Sequence, residues 1–100
     1  MNYSEMTDFE INKAVAGRLL AEWYHNSICL VRCDDDNRSI FNPCNSWADA
    51  GPIIQEESIS LIKYDTNQWR ARSRKCLAGF IDINPLRAAM IVLLMMREGK

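Results

Sequence analysis

Four cysteines and the only histidine, His25, Cys29, Cys33, Cys44 and Cys76, are the side chains of this chain with the chemistry to hold a metal. A structural zinc needs four convergent thiolates or imidazoles, usually presented as close Cys-x-x-Cys pairs on tight turns. This chain has no such pair. Cys29 and Cys33 stand in a run that reads as a strand, on one face but about 13 Å apart at roughly 3.3 Å per residue, too far to share one ion. Buried free thiols in a reducing cytosol are the expectation, with no metal and no cofactor. The Asp34-Asp35-Asp36 run resembles the start of a calcium loop, but Arg38 falls where a third oxygen ligand is needed and Ser39 where the loop needs glycine. It reads as a solvated turn.

For catalysis, His25 has the chemistry of a general base and Ser27 or a cysteine that of a nucleophile. A histidine just past a helix, where the sequence places His25, also serves simply to favour the negative helix end. No Gly-x-Ser-x-Gly elbow, phosphate-binding glycine loop or dinucleotide fingerprint accompanies them. No catalytic residue is assigned, and the expectation is a protein that is not an enzyme.

Two basic features have directional content. Arg70, Arg72 and Arg74 alternate with Trp69, Ala71 and Ser73, so in a strand the three arginines share one face, about 6.6 Å apart, with Lys75 following. Such a stripe can track a phosphate backbone or contact a partner, with Tyr64 or Trp69 nearby for stacking, although Trp69 belongs to the opposite face. It can equally be a solubilising strand face matched to Glu56 and Glu57. Arg87, in the first turn of a predicted helix, opposes the helix dipole and needs compensation. Asp82, a backbone carbonyl, or an anionic ligand or partner would supply it, structural pairing being favoured.

The elements that carry these residues can be read locally. Thr7-Asp8-Phe9-Glu10 has the form of a capping box, opening a helix at Asp8 whose apolar positions Ile11, Val15, Leu19 and Trp23 recur every four residues. Gly17 costs that helix about 1 kcal/mol relative to alanine, and the helix is expected to fade near Tyr24 to Asn26. Ile28–Cys33 and Arg38–Phe41 read as two strands around the aspartate turn. Asn45 or Ser46 can cap a second helix through Trp47, Ala48, Ile53 and Ile54, with Pro52 either in its first turn or kinking it. Ile59–Tyr64 and Trp69–Arg74 form a hairpin about Asp65-Thr66-Asn67-Gln68. Cys76–Ile83 adds a loop or a further short strand.

The last helix is the strongest signal. Asn84 is placed to cap it, Pro85 suits the first helical position, and every residue from Ala88 to Met96 is apolar. Such a helix has no face for water and must be covered on several sides, with a second helix or a second subunit beyond the sheet. The order is α-β-β-α-β-β-α. Helices outside antiparallel hairpins predict an α+β fold, with a small sheet of two hairpins packed with helices.

One hundred residues, 48% apolar and 25% charged, suit one ordinary globular domain spanning 1–100. No stretch reaches the roughly 20 apolar residues of a membrane span, and Met1–Glu5 lacks the features of a signal peptide, so a cytosolic location is expected. Net charge is −1 but uneven: residues 1–62 hold ten acids and four bases, residues 63–100 three acids and eight bases. Internal or intersubunit pairing explains this better than nucleic-acid binding, since small nucleic-acid binders are usually basic overall.

The segments Tyr3–Glu5 and Thr7–Ala16, Ala48–Ala50 and Pro52–Ile54, Ile59–Leu61, Trp69–Ala71, Asn84–Val92 and Met95–Lys100 together resemble the NinX-like proteins of lambdoid temperate phages and enterobacterial prophages. The similarity covers nearly the whole chain, and the layout is similar to the phage ABA-sandwich domains, in which helices flank a small antiparallel sheet. Gly51 stands where such proteins have an aromatic residue, and residues 23–44 match less clearly. The resemblance implies a phage accessory protein in the cytoplasm of a bacterial host. It implies no activity and no site residues. Two functions are expected to compete: a non-enzymatic interaction module, as a homodimer or on a host or phage protein, and a nucleic-acid-binding factor using Arg70, Arg72, Arg74 and Lys75.

Overall fold

The computed structural model describes residues 3–20, 22–26, 29–34, 37–75 and 77–98, without the side chains of 34, 37, 97 and 98. Ser27, Asp35, Asp36 and Cys76, weighed above for catalysis, calcium or zinc, lie outside the described residues. After a 3-10 turn at Tyr3–Glu5 come helix α1 (Asp8–Leu19), strands β1 (Trp23–His25), β2 (Leu30–Asp34) and β3 (Asn37–Ile40), helix α2 (Trp47–Glu56), strands β4 (Ile59–Asp65), β5 (Gln68–Ser73) and β6 (Gly79–Asp82), and helix α3 (Pro85–Glu98). The fold is α+β, with helix and strand groups alternating in the expected order. Each hairpin gains a third strand, and the two groups form separate antiparallel sheets, β1-β2-β3 and β4-β5-β6.

Helix α1 starts as its capping box dictates: Thr7 Oγ1 accepts the Glu10 N–H at 3.1 Å, and the Thr7 N–H donates to Glu10 Oε1 at 2.8 Å. It ends at Leu19, earlier than expected. Leu20 is extended, and its N–H closes the last turn on the Ala16 carbonyl. Trp23, Tyr24 and His25, aromatic residues suited to a pleated strand, pair with Arg32, Val31 and Leu30 instead of continuing the helix. Trp23 stays against α1 and the core, however, with its ring 3.9 Å from where a Cβ on Gly17 would stand.

Helix α2 is capped by Ser46, whose Oγ accepts the Asp49 N–H at 3.4 Å. Pro52 is its sixth residue, beyond the first turn, and the helix runs on to Glu56. Pro52 has no N–H for the Ala48 carbonyl. The exit uses Ser58 at φ 57°, the only non-glycine residue with positive φ among those described. Its carbonyl then accepts the Arg74 N–H at 3.2 Å, tying the start of β4 to the end of β5.

Helix α3 is the centre. Asn84 Oδ1 accepts the Leu86 and Arg87 N–H groups at 2.9 and 3.3 Å, and Ala88 through Leu94 are all buried. One side lies on the β4-β5-β6 sheet, against Ile59, Leu61, Ala71 and Phe80. Helices α1 and α2 pack on α3 elsewhere, and α1 also touches β2 of the first sheet. The cover that the apolar helix demanded beyond its sheet therefore comes from within the chain.

Leu93→Ala should lower stability by about 2–5 kcal/mol, since no side of α3 can collapse freely into the void. Ser58→Gly should raise it by roughly 0.5–1 kcal/mol, relieving a left-handed serine. Urea unfolding monitored by circular dichroism tests both, with the midpoints moving in opposite directions.

Candidate functional site

The titratable residues that the fold brings together most closely surround Arg87. Its Nη1 donates to Asp8 Oδ1 at 2.8 Å, its Nη2 to the Tyr3 and Met6 carbonyls at 3.1 and 2.7 Å, and its Nε lies 3.5 Å from Asp82 Oδ2. Only 12% of the side chain is exposed. The compensation required for a cation at this helix end is thus internal, from Asp82 and backbone carbonyls as anticipated, and also from Asp8 across 79 residues of sequence. The guanidinium binds the 3-10 turn and the start of α1 to the start of α3.

An asparagine cluster continues this joint. Buried Asn12 donates to Asn42 Oδ1 at 2.8 Å and accepts the Cys44 N–H at 3.0 Å. Asn84 donates to the Cys44 carbonyl at 2.7 Å, Asn45 to Asp8 Oδ2 at 3.2 Å, and the Asn42 N–H to Asp49 Oδ2 at 2.8 Å. The loop 42–45 is thereby fastened to α1, α2 and α3 at once. Sequence reading missed it, because an asparagine between Ile11 and Val15 has no local partner to announce it. Cys44, at its centre, has its thiol pushed up from 9.0 to about 12, chiefly by burial and next by Asp8.

The other metal candidates are dispersed. His25 lies in β1, not just past a helix, with its ring stacked on Trp23 at 6.2 Å and edge-on to Phe9 at 5.9 Å. Cys29 precedes β2 and Cys33 sits within it, both half-buried and free. Among the described residues no group of histidine, cysteine or carboxylate side chains has the arrangement of a metal site.

The basic stripe lies on the open side of the second sheet. Strand β5 buries Ala71 and Ser73 toward α3 and exposes Arg70 and Arg72 outward, with Arg74 exposed just beyond its end. Trp69 takes the inner side as expected, with Lys63 Nζ 4.9 Å from its ring centroid. Register adds what alternation in one strand could not reveal: Arg70 stands between Ile62 of β4 and Ile81 of β6, and Arg72 between Ser60 and Gly79. Ile62 and Ile81 are 48% and 38% exposed. Among the described residues no carboxylate pairs with Arg70, Arg72 or Arg74. Only Lys75 reaches acids at the end of α2, at 3.8 Å from Glu57 Oε1 and 3.4 Å from the Glu56 carbonyl.

A family model described as "Bacteriophage P22, NinX" matches residues 2–97. The chain belongs to this NinX family. No curated protein matches it. In this NinX-family chain the matched span takes in both the Arg87 joint and the open sheet face. No helix among its described residues is long and apolar enough to cross a membrane.

Arg87→Leu should cost about 2–4 kcal/mol, less than the full penalty of a broken buried pair because Asp8 is partly exposed. Arg87→Lys should recover only part of this, since an ammonium cannot reach all four partners. For Cys44, a folded-state thiol pKa above the unfolded one means that above pH 9.0 the unfolded chain releases a proton that the folded chain retains up to about pH 12. Stability should therefore fall across that window. Denaturant melts against pH should show this alkaline slope reduced in Cys44→Ala.

Proposed function

We propose that this phage accessory protein is a small non-enzymatic interaction module, working in the cytoplasm of the bacterial host and engaging a host or phage protein through the outer face of β4-β5-β6. One observation carries the reading: Arg70 and Arg72, with Arg74 just beyond the strand end, have no carboxylate partner among the described residues and stand beside half-exposed Ile62 and Ile81. Arginine is among the residues enriched at the energetically dominant positions of interfaces, and the isoleucines beside it add apolar area for a partner to cover. The non-enzymatic part rests on the titratable cluster around Arg87, whose hydrogen-bonding groups are engaged with one another. A homodimer built on α3 loses its motive, because α1, α2 and the sheet already cover that helix.

A nucleic-acid-binding role for Arg70, Arg72, Arg74 and Lys75 is the second reading, favoured by the lack of neutralising carboxylates at the three arginines among the described residues. Against it, Trp69 lies on the opposite face of β5 from the arginines and the net charge of the chain is −1. Tagged protein should capture a defined partner from phage-infected lysate, and Arg70→Glu should lose that partner while keeping the wild-type melting curve. A wild-type chain that captures nothing beyond control beads would sink the interaction reading. Salt-dependent binding to labelled DNA, lost in Arg70→Glu, would establish the second reading instead.

A further inference from the structure

We infer that the groove of this face beside the start of β4 and the end of β5 receives an acidic, leucine-bearing segment of a partner protein. This rests on the interaction reading above and specifies the chemistry of what is bound. The groove is an open depression of about 550 Å³ lined by Ser60 and Ile62 of β4, Arg72 of β5, and Arg74, Lys75 and Leu77 beyond the end of β5. An open depression of this kind suits an extended segment laid across it better than an enclosed small molecule.

Its lining has two chemistries in register. Arg72 and Arg74 are exposed cations without acidic partners among the described residues, while Lys75 is partly neutralised by Glu57 at 3.8 Å. Arg72 stands in register with Ser60 of β4 on one side and Gly79 of β6 on the other, so no bulky neighbour flanks it in the sheet. Guanidinium forks match carboxylates in bidentate geometry. Beside them Ile62 is half exposed and Leu77 fully exposed, giving aliphatic surface next to each charge. A segment combining carboxylates with aliphatic side chains complements both parts. A nucleic-acid strand complements only the first: its bases need flat aromatic platforms, and neither Ile62 nor Leu77 offers one. Exposed acids of a second copy, such as Glu5, Glu22 and Glu56, are the competing source of carboxylates.

Fluorescence anisotropy with three labelled probes tests this: an acidic peptide with interspersed leucines, the same peptide with serine for leucine, and a single-stranded oligonucleotide of equal net charge. The leucine-bearing peptide should bind about tenfold more tightly than either other probe at the same salt concentration. Arg72→Glu combined with Arg74→Glu should abolish binding, and Leu77→Ser, at a fully exposed position that cannot unfold the protein, should weaken it severalfold. Equal affinity for both peptides would reduce the groove to unspecific charge attraction, and a tighter oligonucleotide would assign it to nucleic acid. Self-association in sedimentation that Arg72→Glu removes would assign it to a second copy. Absence of saturable binding by any probe would also overturn the inference, yet the interaction reading would survive if lysate capture still depended on Arg70.

Discussion

Burial of α3 on every side is the constraint from which the rest of this architecture follows. Seven consecutive buried residues, Ala88 to Leu94, leave no direction in which the helix can face water. A three-stranded sheet covers only one side of a helix, so α1 and α2 must come from elsewhere in the chain to complete the enclosure. The sheet is then left with an inner face closed by α3 and an outer face without a helix above it. The open face, with its arginines and isoleucines, is thus the counterpart of a core built around one helix.

Enclosure also creates an electrostatic problem that the polar joint solves. The first turn of α3 must approach α1 closely, and both helix starts carry positive dipole ends. Adding Arg87 there would worsen the repulsion were it not for Asp8 and Asp82 on either side and two carbonyls beneath it. The asparagines of the 42–45 loop satisfy backbone groups in the same region without adding charge. Polar residues here hold elements in position.

Much of this could be read before the structure, wherever the cause was local. The Thr7 and Asn84 caps, the β4–β5 hairpin and the outward direction of Arg70 and Arg72 all depend on neighbours within a few residues. Strand β1 escaped because Trp23 continues the four-residue apolar spacing of α1 and neither glycine nor proline marks the stop at Leu19. Ile81 could not be placed opposite Arg70 until β6 was known to pair with β5. Asp8 as a partner of Arg87, and Asn12 as a partner of the 42–45 loop, depend on folding across most of the chain and leave no trace in spacing.

The position of α3 in the chain has a consequence for biosynthesis. Synthesis proceeds from the N-terminus, so α1, α2 and both sheets are made before the helix that joins them. Until α3 is available, Ile11, Val15, Ile59 and Ala71 lack the surface that completes their burial. The nascent chain therefore carries exposed apolar surface through most of its translation and consolidates late. Its most vulnerable interval, when capture by chaperones or aggregation competes with folding, comes just before Ala88 to Leu94 are made.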